Sequence, residues 1–136
     1  MRGLAGNARS YVTLSIWLLA IDWTVFGSMH FFYLAETVAQ IPKGLPFPHA
    51  IAIVTGIIEV ATGLLIVPPA TRKWAAMSSL GLLILLIPAV VYILWSPGPL
   101  DAIHVTGGVR TLLLIVLVPH NILLGICSIL VLRHSR

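Results

Sequence analysis

Asp22, Glu59 and His120 are polar residues set deep inside long apolar runs, where chemistry is costly and therefore informative. An Asp at the centre of a bilayer costs roughly 2.5–3.5 kcal/mol on insertion scales, so such a group turns inward and finds a partner. Carboxylates beside an imidazole can pass protons or polarise a ligand. The same residues can also act as a hydrogen-bonded clamp that fixes how helices pair. His30, in GSMHFF, is a fourth candidate near the end of its run. It follows Asp22 by eight residues, which on a helix puts the two about 80° apart, on adjoining faces. It suits a quinone, haem or proton contact at the rim, or an interfacial histidine bonded to a backbone carbonyl.

The elements that must hold these groups are four apolar segments, at about Tyr11–Phe32, Ala50–Val67, Trp74–Trp95 and Val109–Leu132. Each approaches or exceeds the ~20 residues that cross a hydrocarbon core. Backbone groups in lipid must be satisfied within the segment, so each is expected to be a helix. Asp22 lies eleven residues in from Tyr11, Glu59 eleven from Pro48 and His120 eleven from Val109. Equal depth predicts that the three meet as one cluster near the midplane, beside Asn121 and the backbone break at Pro119.

Composition agrees with lipid as the main solvent. Of 136 residues, 59% are hydrophobic and 9% charged, and the mean hydropathy is +1.05. A soluble domain carries about 25% charged residues. The net charge of +4 does not point to nucleic acid, because the basic residues are scattered at segment ends. Arg2, Arg9, Arg72, Lys73, Arg133 and Arg136 fall on one side, Lys43 and Arg110 on the other. The positive-inside rule then puts both termini in the cytoplasm, as a multi-pass protein of the cytoplasmic membrane. Tyr11, Trp74 and Trp95 sit where interfacial aromatics do. The first run holds Asp22 and lacks a small-x-small cleavage signal, so it reads as a retained helix rather than a signal peptide. The fold class expected is all-α: one integral membrane four-helix bundle over residues 1–136.

Gly56, Gly63, Pro88 and Pro119 are expected to set helix packing. Gly56 and Gly63 are seven residues apart and share a face near that of Glu59. Small residues there allow close helix approach or leave room for a flat ligand. Ser78, Ser79 and Gly81 are expected to pack similarly in the third helix, which Pro88 should kink or strip of a hydrogen bond. The lone Cys127 reads as a small buried hydrophobe. His49, His104 and His134 fall in loops or the tail and read as solvated. No metal site is expected, since no HxxxH or ExxH pair stands on a helix. Nor is there a P-loop, GxGxxG, CxxCH or HExxH sequence.

The stretch from Gly27 to Leu94 resembles the DoxX-like membrane family. GSMHFF resembles its small-residue-then-His-Phe motif. IPKGLPFPHAIAIVTGIIEVATGLLIVPPATRKWAA is similar to its run from loop prolines through a G-x-x-E helix to a basic turn, with Gly56 and Glu59 at the G-x-x-E positions. LLILLIPAVVYIL resembles its Phe-Pro-Ala-Asn element, and VLVPHNILL its Arg-Leu-Pro-x-Gln element. Val90 and Val91 stand where the family often has Asn, Val116 replaces the Arg, and His120-Asn121 stands near the Gln. The resemblance implies a four-helix bundle in the cytoplasmic membrane, and a link to redox partners such as the membrane subunit of thiosulfate:quinone oxidoreductase.

The function expected is a small accessory subunit of a membrane redox complex. It would contact quinone or lipid and the helices of other membrane subunits or of itself, with no covalently bound cofactor. The alternatives are a quinone-linked oxidoreductase subunit acting on a small reductant such as thiosulfate, with Glu59 and His30 as proton acceptors, and a proton or ion conduit through Asp22, Glu59 and His120. A membrane assembly factor is the remaining option.

Overall fold

The computed structural model describes residues 2–96 and 107–135. Five helices account for nearly all of them, with no strand among the described residues: α1 (Arg2–Phe32), α2 (Leu34–Ala39), α3 (Pro48–Leu65), α4 (Arg72–Trp95) and α5 (Gly107–His134). Four of them are long and apolar enough to cross a membrane. The chain is thus an all-α, multi-pass membrane protein. α1 packs on α3, α3 on α4, α4 on α5 and α5 back on α1, closing an up-and-down ring. The α1–α3 face is the most extensive and the α3–α4 seam the thinnest.

Helix α3 shows what solvent the fold is built for. Its buried residues are Ala52, Thr55, Gly56, Glu59, Thr62 and Gly63. They recur at intervals of three and four, so they form one stripe along the helix. Every residue on that inward stripe is small or polar. Ile53, Val54, Ile57, Ile58, Leu64 and Leu65 point outward and are exposed. A helix in water would be arranged the other way round. In lipid, small inward residues let backbones approach closely, while large apolar ones meet the acyl chains. Trp74 and Trp95 are exposed near the ends of α4, and Tyr11 near the start of the apolar span Arg9–Phe32, as suits the membrane–water boundary.

The close approach is between α1 and α3. A Cβ on Gly27 would lie 2.7 Å from the Glu59 Cβ and 2.9 Å from the Gly56 carbonyl oxygen. One on Gly56 would lie 2.7 Å from the His30 Cβ, and one on Gly63 2.7 Å from the Thr24 amide nitrogen. Gly27 was not singled out by sequence, although it stands three residues before His30. Gly81, expected to pack, has nothing within 4 Å of where a Cβ would be. Its neighbours make the contacts instead: Ser78 bonds Thr62 across the α3–α4 seam at 2.8 Å.

Boundaries differ from expectation where polar sequence supports helix beyond the apolar run. α1 starts at Arg2 rather than near residue 11, since an exposed helix end can continue in water. The 33–49 connection holds α2, which buries no residue. α3 begins at Pro48, whose fixed φ and missing N–H suit a first helical position. Phe47 before it adopts a left-handed φ of 54°. At the other end Pro68 and Pro69 stop the helix. Thr71 Oγ1 donates to the Leu65 carbonyl at 2.6 Å, and Arg72 donates to the carbonyls of Ile66 and Val67. A cation on the C-terminal carbonyls also complements the helix dipole.

Pro88 and Pro119 lie inside α4 and α5, which remain helical on both sides of them. Both are exposed rather than set in a helix interface. A proline lacks the N–H that would bond four residues back, so each removes one bond from its own helix ladder.

The interior is unequal along its length. Towards the termini it is a packed core of Ile16, Leu19, Ala20, Trp23, Ile66, Ala75, Ala76, Leu82, Leu124, Cys127 and Val131. Towards the α1–α3 connection it opens into a cavity.

Candidate functional site

The cavity measures about 310 Å³. α1 supplies Asp22, Trp23, Phe26 and His30 to its wall, and α3 supplies Glu59. α4 contributes only apolar side chains, Leu86, Ala89, Val90 and Ile93. α5 contributes Val116, Leu117, His120, Asn121 and Leu124, and Gln40 just past α2 completes the lining. All four sequence candidates therefore line one space.

Within it they form two close pairs. His120 Nε2 is 3.2 Å from Asp22 Oδ1, and His30 Nε2 is 3.5 Å from Glu59 Oε2. The three residues expected to meet all line this cavity, with His30 added as the close partner of Glu59. The glycine contact that sets the α1–α3 register puts Glu59 opposite Gly27. That is five residues past Asp22, or roughly 7.5 Å of helix rise. Counting from segment ends cannot see this offset, because α3 enters at Pro48 with a register fixed by Gly27, Gly56 and Gly63.

The His30 ring is oriented by its other nitrogen. Nδ1 lies 2.8 Å from the carbonyl oxygen of Ala52. A carbonyl only accepts, so Nδ1 must carry a hydrogen. Thr55 Oγ1, 3.3 Å from Nδ1, donates its own proton to the Ile51 carbonyl at 2.8 Å and can share that N–H as an acceptor. Nε2 is left facing Glu59. Either the carboxyl donates to a neutral ring or the imidazolium donates to a carboxylate, and both states carry the same single exchangeable proton. The backbone-bonded histidine and the cavity histidine, read from sequence as alternatives, are one residue using two nitrogens.

The Asp22–His120 pair is more open. His120 is about one-third exposed at its side chain, against 3% for Glu59. Phe26 meets the His120 ring edge-on at a centroid distance of 5.7 Å. Asn121 Nδ2 donates to the Leu117 carbonyl at 2.8 Å. Below the cavity, Trp23 Nε1 donates to Ser79 Oγ at 2.7 Å, and Ser128 Oγ donates to the Leu124 carbonyl at 2.7 Å. Ser79 and Ser128 are 2.7 Å apart, so the Ser79 hydroxyl proton must point to Ser128. This directed chain ties α1, α4 and α5 beneath the cavity floor. Trp23 and Ser128 were not predicted from sequence; the only signal is a polar atom inside an apolar run.

Among the described residues, no three or more His, Cys, Asp or Glu side chains are placed to hold a metal ion. His49 lies in the first turn of α3 and His134 in the last of α5, both exposed. His104 lies outside the described residues. Cys127 is buried in the packed half and lines no part of the cavity.

No curated protein and no solved structure matches this chain significantly. Residues 19–124 match a family described as Domain of unknown function (DUF8561). That span holds the cavity and both histidine–carboxylate pairs. The chain belongs to the DUF8561 family.

Proposed function

We propose that the cavity binds the head group of a lipophilic quinone, and that the chain is a small membrane subunit of a redox complex. The observation that carries this reading is the pair of histidine–carboxylate contacts facing one apolar-walled cavity. Ligand pockets are typically about 300–1,000 Å³. A cavity at the lower limit suits a ring and leaves an isoprenoid tail to the bilayer. Quinones carry two electrons and two protons when they are reduced and reoxidised. Asp22–His120 and His30–Glu59 supply two places to hold or pass a proton. Phe26, Leu86, Ile93 and Val116 supply flat apolar contact. The chain's own residues bind, orient and handle protons, and partner subunits supply the electrons.

The DoxX-like resemblance of the Gly27–Leu94 stretch supports the same reading. The excess of Lys and Arg at the end that holds the termini supports a cytoplasmic location for both termini in the cytoplasmic membrane.

The test is purification from native membranes in gentle detergent, with mass spectrometry of lipophilic molecules and proteins that stay bound. A quinone should be retained by the parent chain, together with stoichiometric redox subunits. It should be lost from Ala89→Phe, which fills the cavity, and reduced in Glu59→Gln. A quinone retained equally by Ala89→Phe would sink the ligand reading. Recovery of the chain without protein partners would sink the subunit reading.

A further inference from the structure

The two halves of the bundle interior differ in a way that fixes where protons can come from. At the termini end, Leu19, Ile66, Val131, Ser79 and Ser128 are fully buried. The Trp23–Ser79–Ser128 chain closes the floor with no unpaired donor left over. Among the described residues this half buries no carboxylate or histidine that could take up and release a proton. Above the floor the polar groups climb in one direction. Asp22 and His120 come first, then Glu59 and His30, then Gln40, which stands just past α2 within the α1–α3 connection. Among the described residues, the titratable groups facing the cavity are Asp22 and His30 from α1, Glu59 from α3 and His120 from α5, while α4 offers none.

We propose that the cavity is an aqueous half-channel, which exchanges water and protons only with the side of the membrane that holds the α1–α3 connection. The assignment goes beyond the quinone reading and does not require it. Each transfer moves a proton and no electron. A proton leaving the Glu59 carboxyl passes to His30 Nε2 and forms an imidazolium, while Nδ1–H stays on the Ala52 carbonyl. The imidazolium gives that proton to water at the connection side, and Glu59 is recharged from the Asp22–His120 pair. Asp22–His120 then takes its next proton from whatever occupies the cavity, or from the same water.

Sidedness is tested by thiol labelling in sealed vesicles of the full chain, with a membrane-impermeant reagent applied to one face at a time. The background is Cys127→Ala. Lys43→Cys marks the connection side and Lys73→Cys the termini side, both residues being exposed. Asn121→Cys and Val90→Cys report from two walls of the cavity, so one variant can fail to fold without loss of the test. Both should label from the Lys43 side and not from the Lys73 side. Labelling from the Lys73 side, or from neither side, overturns the proposal. The proton part is read separately from the infrared carboxyl bands that Glu59→Gln and Asp22→Asn delete. These bands should follow pH on the Lys43 side alone. A response to pH on the other side, or no response to either, overturns that part.

Discussion

His30 divides its ring between two tasks, and substitutions can separate them. Asn offers an amide near the position of Nδ1, and Gln one near Nε2. His30→Asn should therefore keep the link to the Ala52 carbonyl and lose the contact with Glu59. Paired with Glu59→Gln in a double-mutant cycle, it should show a coupling of about 0.5–3 kcal/mol, as residues in direct contact do. The measurement is thermal unfolding in detergent, and strict additivity would remove the pair from the description. Ser79→Ala strips the Trp23 N–H of its acceptor and Ser128 of a donor. Polar links inside membranes are worth about 0.6–2 kcal/mol each, so a loss of about 1–3 kcal/mol is expected in the same assay. The four titratable side chains in the described lining of the cavity were legible in the sequence because lipid makes them conspicuous. Their pairing was not, since a histidine's partner depends on register, which no single segment carries.

Register belongs to the elements, and glycine decides it here. A side chain on Gly27 or Gly56 would meet backbone atoms or a Cβ across the α1–α3 face, none of which can rotate away. Gly27→Ala and Gly56→Ala should each cost about 1–3 kcal/mol, the usual range for overpacking. They should also disturb the His30–Glu59 contact. Gly81 is the control. It sits mid-helix in open space, and Ala is favoured over Gly there by roughly 0.8–1 kcal/mol. Gly81→Ala should leave stability unchanged or raise it. The sequence marks all three glycines alike, as small residues in apolar helices. Only the facing helix separates them. The number and type of the long helices, by contrast, were legible from hydropathy alone, because a hydrocarbon core leaves the backbone no alternative to internal hydrogen bonds. The extension of α1 and the presence of α2 were missed, as both lie in sequence that lipid does not constrain.

At the scale of the whole molecule, the ring of helices brings residues far apart in sequence into one interior, and this has a consequence in time. Glu59 finds His30 already in place when α3 arrives, since α1 precedes it. Asp22 waits for His120, which lies 98 residues later in the chain. At synthesis rates of about 5–20 residues per second, that wait lasts roughly 5–20 s. During this interval the first helix carries its carboxyl without its partner. A chain ended after Ser96 should therefore be cleared quickly by quality-control proteases, and Asp22→Asn should lengthen its lifetime in a pulse-chase experiment. Equal lifetimes for the two truncated chains would mean that Asp22 is sheltered by something other than α5 while the bundle is being born. The last helix is thus the one that discharges a debt contracted by the first, and birth order, as much as final geometry, decides which acid in this protein is the vulnerable one.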